Sequence, residues 1–410
     1  MSTAILSGTR IIEGSAFVAA PMAGMTLAQL GADVIRFDPI GGGIDYRRMP
    51  RARDGGRSLY WTGLNKGKRS LAVDLSRPEG RELIQELATA PGPKAGLLLT
   101  NFAGVKWLDY AHLRQRRSDL IKLEIRGNHD GSTALDYTVN PAVGYPGITG
   151  GGSTEAPVNH VLPAWDVACA MQAALGLVAA LMHRMETGRG QHIRLALSDV
   201  ALSVVGSLGH IAEAQINGEQ RQSIGNHVYG AIGRDFATRD GRRLCIVAVS
   251  LKQWHTLCAA LSLQQSMQEL ERALGLDFAR EEHRYQAREA ICAQIADWCG
   301  QRDHDAIREI LDRHGVCWGP YQSFLELVRR DPRASTRNPM FSQVHQPGVG
   351  THLMAGSPLD FADAEREAAT PAPRLGQHSE QILAEELGRS SAEIGRLMDA
   401  GIVAGPESEG

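Results

Sequence analysis

The hydrophobic and polar positions of the first 215 residues change period repeatedly. Short apolar, β-rich runs at Arg10–Glu13, Asp33–Phe37, Ser70–Leu75, Gly96–Thr100, Leu120–Ile125 and Gln191–Leu197 read as strands. Segments with helical spacing lie between them: Pro21–Leu30 closed by Gly31, Pro78–Ala88, the stretch after Asp166, and one from Ser198 to about Ile216. Strands alternating with helices predict βαβ units and a mostly parallel sheet. The rhythm changes near Asn217–Gly218. Phe236–Arg239 and Leu244–Val249 flank Asp240–Gly241, a hairpin signal. Helical segments, among them Tyr285–Trp298 and His304–Leu311, fill Lys252–Arg313, and Val316–Gly319 reads as a strand. Prolines at 332 and 339 then break the pattern, and 376–400 reads as two helices. The expected class is α/β. Residues 1–216 form a large domain, 225–328 a smaller α+β domain, and 329–410 return to the first, with 405–410 expected to be disordered.

Composition narrows the class. Of 410 residues, 43% are hydrophobic and 22% charged, enough for a core and against wholesale disorder. The 45 glycines exceed the usual share of about 7% without a Gly-X-Y period, which suggests tight turns rather than collagen. A net charge of −3 argues against a general nucleic-acid binder. Six irregularly spaced cysteines without a CxxC read as reduced thiols of a cytoplasmic protein. The start, Met1 to Gly8, has no signal-peptide pattern. The longest apolar stretch, Val167–Met182, is interrupted by Gln172 and is shorter than a membrane span, so it reads as a buried helix.

Several motifs fail on spacing. Gly63–Ser70 resembles a phosphate loop, but its glycines are one residue too close and a strand follows where a helix should start. There is no nucleophile elbow and no HExxH, and the 14 histidines are dispersed, so no metal site is expected. Two features retain chemistry. Arg47, Arg48, Arg51, Arg53, Arg57, Lys66, Lys68 and Arg69 crowd one segment against Asp45 and Asp54, a field suited to an anionic ligand or simply a solvated loop. Asp166 directly precedes the most apolar helix. It reads either as an N-cap or as a carboxylate kept ionised by the helix dipole and able to attack an acyl group.

The ordered set Gly8–Glu13, Ala19–Pro21, Leu30–Arg36, Asn65–Ser70 with Val73-Asp74, Thr100-Asn101-Phe102, Asp166, Thr187–Gln191, Asp240-Gly241 with Trp254, and Pro373–Gly376 with His378 resembles family III CoA-transferases over nearly the whole chain. The resemblance implies a Rossmann-like large domain, a smaller domain, an interlocked homodimer and an acyl-CoA substrate. CoA is then part of the substrate, with no separate cofactor, nucleic acid or membrane partner. By the same resemblance Asp166 is the nucleophile, Asn101, Phe102 and Val73 lie at the CoA site, and basic residues such as Lys66 and Arg69 meet its phosphates. Gly14–Pro21, Arg36–Gly43, Val158–Asp166 and Asn338–Phe341 are similar to one branch of that family. There CoA moves between the two carboxyls of a single mesaconate, and this intramolecular reaction is the expected activity. An intermolecular transferase and, less favoured, a racemase are the alternatives.

Four departures matter. The glycine run that covers the aspartate in formyl-CoA transferase has no counterpart in Gly225–Gly233. Val18 replaces a CoA-side glutamine, Pro39 falls where an adenine-side arginine is expected, and Leu135 stands where the racemases carry a histidine. A missing base disfavours racemisation.

Overall fold

A computed structural model describes residues 4–53, 55–151 and 156–407. The chain divides into two units: Met1–Val143, His160–Gly218 and Pro332–Gly410 form the first, and Gly144–Asn159 with Glu219–Asp331 the second. Residues 144–159, read above with the large domain, thus group with the second unit.

The first unit is built on strands β1 (Arg10–Gly14), β2 (Asp33–Pro39), β3 (Arg69–Val73), β4 (Leu97–Thr100), β5 (Ile121–Arg126) and β6 (Gln191–Ala196). Their order is β3-β2-β1-β4-β5-β6, all parallel, the doubly wound arrangement. Covered on both faces, such strands need continuous apolar runs rather than alternation. Ile11, Ile12, Val34, Ile35, Phe37, Leu71, Val73 and Leu97–Leu99 are all buried, which explains why these strands were legible. The helix Ala164–Thr187 buries Trp165, Cys169, Ala170, Ala173, Ala174, Leu177, Ala180 and Leu181. Its other side exposes Met171, Leu175, Met182 and Met185. It is long and apolar enough to cross a membrane, but it packs against helix Ala19–Ala28 and β5.

Charged groups are also sealed inside this unit. Arg36, on β2, donates through Nε and Nη2 to the two oxygens of Asp38 at 2.9 and 2.8 Å, and through Nη2 to the Ser15 carbonyl at 2.9 Å. Its Nη1 reaches Asn65 Oδ1 at 3.1 Å, and Asp45 accepts from Nη2 at 3.4 Å. Lys68 Nζ donates to Glu13 Oε1 at 2.7 Å and to the Asn65 side chain at 2.8 Å. Burial works against the guanidinium's charge, but Asp38, Asp45 and Glu13 overcome it and hold Arg36 protonated. The Lys68 ammonium, fully enclosed, is lowered by burial to about 8. Gly24 permits the approach: a Cβ there would overlap the Glu13 carboxylate.

Some expected elements are reshaped. The helix from Ser198 to Ile216 is two, Leu197–Ser207 and His210–Asn217, because Gly209 takes a left-handed φ of 82°. Tyr285–Trp298 likewise splits between Glu281–Gln286 and Arg288–Gly300. The proline-broken region forms an antiparallel hairpin, β10 (Phe341–Gln346) and β11 (Gly350–Ala355), turning at Pro347-Gly348. Its sparse apolar residues hide the alternation. The tail adds β12 (Val403–Ala404) antiparallel to β3. Residues 405–407, expected to be disordered, are fixed: the Glu407 amide donates to the Leu375 carbonyl at 2.9 Å and its carboxylate accepts from the Tyr46 hydroxyl. Residues 408–410 lie outside the described part.

The second unit pairs β7 (Ile232–Ala237), β8 (Arg243–Ala248) and β9 (Cys317–Pro320) antiparallel. Helices bury Trp254, Leu257, Ile291, Ile295, Ile307 and Leu311 against Phe236, Leu244 and Ile246.

Removing one partner of a buried ionic cluster strands the others. Arg36→Met is therefore expected to destabilise the protein by about 3–5 kcal/mol, read from urea unfolding, whereas Arg77→Met on the surface should change stability by less than about 0.5 kcal/mol.

Candidate active site

In a doubly wound sheet, ligands bind beyond the carboxyl ends of the strands, where the order reverses, here between β1 and β4. A cavity of about 760 Å³ lies there. Ala16–Ala19 follow β1, Asn101–Ala103 follow β4, Arg126 and Gly127 end β5, and Leu197 follows β6; all line it, with Leu135, Asp136, Tyr137 and Asp166.

The loop after β1 is held in an uncommon shape. Phe17 has a φ of 66°, the left-handed region that a bulky residue rarely adopts. Its amide donates to the buried Asp45 carboxylate at 3.0 Å. Asn101 clamps the preceding residue from both sides: its Oδ1 accepts from the Ala16 amide at 3.0 Å and its Nδ2 donates to the Ala16 carbonyl at 2.7 Å. Asp45 in turn faces Arg36, so the charged cluster sets this cavity wall.

Asp166 occupies the third position of helix Ala164–Thr187, half-buried. It is not the cap. The carboxylate of Asp136, which opens helix Asp136–Ala142, accepts from the Trp165 and Asp166 amides at 2.8 and 3.1 Å. The Trp165 indole donates to Asn140 Oδ1 at 3.2 Å and locks the two helices together. The free N–H groups thus go to Asp136, and the expectation that the helix end keeps Asp166 strongly ionised is corrected. Burial first, then the neighbouring Asp136 charge, raise Asp166 from its ordinary 3.8 to about 7. At neutral pH the carboxylate is present in a substantial share of molecules and is more basic than an ordinary one. Cys169, one turn on, is held as the neutral thiol: burial, and then Asp166, push it up to about 12.

The basic segment disperses. Lys68 is in the buried cluster. Arg69 pairs with Asp33, Glu385 and Glu386. Lys66 Nζ donates to the Ala355 carbonyl at 2.7 Å. Val73 is fully buried, in the core cluster that also holds Ile84 and Val403, and pairs across the sheet with Val403. None of Arg69, Lys66 and Val73 lines the Asp166 cavity, whereas Asn101 and Phe102 do. Arg47, Arg51 and Arg57 line a second cavity of about 760 Å³, with Glu407. There Arg51 and Arg57 donate to carbonyls of Gly55, Gly56, Pro347 and Pro373. Arg48 reaches the first cavity. Sequence reasoning missed Asp136, Phe17 and Tyr60 as parts of the site. Only Asp136 left a local trace, an acid opening a helix.

The model of CoA-transferase family III matches residues 6–379. The chain belongs to CoA-transferase family III. It is 52% identical over 403 residues, 98% of each chain, to the 2-methylfumaryl-CoA isomerase of Chloroflexus aurantiacus. It is 29% identical to the succinyl-CoA:mesaconate CoA-transferase of Haloarcula hispanica, covering 93% of this chain and 96% of that one. A solved CAIB/BAIF family protein from Brucella suis superimposes with a TM-score of 0.76 at 27% identity, over 94% of this chain and all of that one. In this family III chain the position after Ala134 is Leu135, exposed on the cavity wall and without a titratable group.

A carbon-13 NMR titration of the Asp166 carboxylate should place its midpoint near 7, and Asp136→Asn, which keeps an acceptor for the helix amides but removes the charge, should lower it. The folded value lies above the ordinary 3.8, so the stability tied to this proton is complete below about 4 and lost as pH rises through about 7. Asp166→Asn should therefore raise the melting temperature at pH 8 relative to wild type and change it little at pH 4.

Proposed function

We propose that the protein is an intramolecular CoA transferase that converts 2-methylfumaryl-CoA (mesaconyl-C1-CoA) into 3-methylfumaryl-CoA (mesaconyl-C4-CoA). The observation that carries the reading is a half-buried, basic carboxylate, Asp166, in a strand-end cavity with Asn101 and Phe102, in a chain 52% identical to an isomerase of that name. Asp166 attacks the C1 thioester carbonyl; the C–S bond breaks, leaving a mixed anhydride and CoA thiolate. The thiolate attacks the aspartyl carbonyl, the anhydride C–O bond breaks, and mesaconate is freed beside an aspartyl-CoA thioester. The C4 carboxylate then attacks that thioester and expels the thiolate. The thiolate attacks the C4 carbonyl of the new anhydride and returns Asp166 to its carboxylate form. A raised aspartate suits this sequence, since it is both a basic nucleophile and, once acylated, no longer a buried charge. Holding mesaconate between the two halves replaces an external acceptor by one at high effective concentration.

We assign Asn101 and Phe102 to the CoA moiety, with no group required beyond the substrate's own CoA. We place the enzyme in the cytoplasm as a homodimer. Six free cysteines accord with a reducing compartment, and the apolar face of Met171, Leu175, Met182 and Met185 suits a second copy.

Chromatographic separation of the two regioisomers after incubation with 2-methylfumaryl-CoA alone tests the reading. The C4 isomer should appear without uptake of labelled free mesaconate, and Asp166→Ala should lose at least about a thousandfold in rate. Equal label uptake would move the assignment to an intermolecular transferase, and no isomer in wild type would reject it.

A further inference from the structure

The two ends of a dicarboxylate make opposite demands on the cavity. One must meet Asp166; the other carries a negative charge into a site that already holds Asp136 and Asp166. Four charged side chains line the cavity: those two aspartates, Arg126 and Arg48. Arg126 is committed, since its Nε donates to Glu124 at 2.6 Å. The Arg48 guanidinium makes no ion pair with any described residue. It lies over the Phe17 and Tyr60 rings, 5.4 Å from each centroid. Stacking on ring faces fixes the plane of a guanidinium and leaves its edge donors free for a bidentate carboxylate.

Its surroundings are as constrained as the nucleophile's. The Arg48 amide donates to the Asp45 carbonyl at 3.1 Å, and its own carbonyl accepts from Ser58 Oγ at 2.6 Å. Asp45, through its side chain, also holds the strained Phe17. One buried residue thus places both the cation and one of the rings that orient it. Tyr60 stands in the electrostatic reach of both Arg48 and Asp166; burial, opposed by Arg48 and aided by Asp166, raises its phenol to about 12. The cation and the nucleophile therefore serve one chamber.

We propose that Arg48 binds the carboxylate of the acyl group that does not carry CoA, and that it retains free mesaconate while CoA changes ends. This rests on the intramolecular reading above. In the starting complex the C4 carboxylate sits on Arg48 and C1 faces Asp166. After the aspartyl-CoA thioester forms, mesaconate turns end for end. C1 now pairs with Arg48, while a C4 oxygen attacks the aspartyl carbonyl, breaks its C–S bond and releases the thiolate. Arg48 is a specificity-determining group that selects a second carboxylate and suppresses escape of the acid.

The test compares wild type with Arg48→Gln and Arg48→Lys in two assays run together: regioisomer formation from 2-methylfumaryl-CoA and incorporation of labelled mesaconate per turnover. Hydroxylamine trapping of the Asp166 intermediate serves as a separate readout of the nucleophile. Arg48→Gln should isomerise about 30- to 100-fold more slowly, incorporate label from free mesaconate where wild type takes up none, and still yield the Asp166 hydroxamate. Its preference for 2-methylfumaryl-CoA over tiglyl-CoA (the analogue with a methyl in place of the C4 carboxylate) in hydroxamate formation should fall by a similar factor. Arg48→Lys, which keeps the charge but not the fork, should recover part of both losses. Unchanged label incorporation and unchanged preference in Arg48→Gln would overturn the inference alone. A wild type that traps hydroxamate but forms no C4 isomer would overturn the intramolecular reading and this inference with it.

Discussion

A guanidinium with no access to water organises the unit of this protein that holds the Asp166 cavity. Arg36 enters the sheet in the middle of β2, opposite Glu13 of β1 and Ser70 of β3, and is buried with them. A buried charge of that kind is tolerable only when every donor is answered. Asp38, the Ser15 carbonyl, Asn65 and Asp45 answer it, and they come from β2, the loops after β1 and β2, and the segment that leads into β3. The loop after β1 is consequently pinned to the loop after β2. Phe17 can remain in a backbone region it would otherwise leave because the Asp45 carboxylate that accepts its amide is itself fixed by Arg36.

That dependence also explains the division between what the sequence displays and what it conceals. The six parallel strands were readable because burial on both faces demands unbroken apolar runs. Asp166, Asn101 and Phe102 stood out because an ordered set of family segments carries them. Asp136 did not, since it meets the helix amides from thirty residues upstream and no local pattern records that approach. Arg48 was visible only as one of eight cations; its distinction is that others in the group found carboxylates or carbonyls after folding. Phe17 and Tyr60 are ordinary aromatic residues until the fold brings both rings to one guanidinium. The placement of Lys66, Arg69 and Val73 shows the converse, since segments that carry a family resemblance can owe their residues to packing and ion pairing within the sheet.

The two carboxylates of the cavity divide their labour through geometry rather than chemistry. Both are aspartates at the same helix end. Asp136 takes the amides and with them the positive end of the helix; Asp166 receives neither and is left with burial and a like-charged neighbour. The raised value of Asp166 thus goes with burial and that neighbour, while the N–H groups go elsewhere.

A single charge consequently governs two properties that are usually independent. Asp136 anchors the first turn of the longest helix in the unit and, from the same position, adds to the burial that makes its neighbour hold its proton. A lineage adapting to acidic or alkaline conditions could retune Asp166 by changing that one residue, but each change would also be felt as thermal tolerance. The working pH of the enzyme and its heat resistance are in this way mechanically geared, and selection on one drags the other with it.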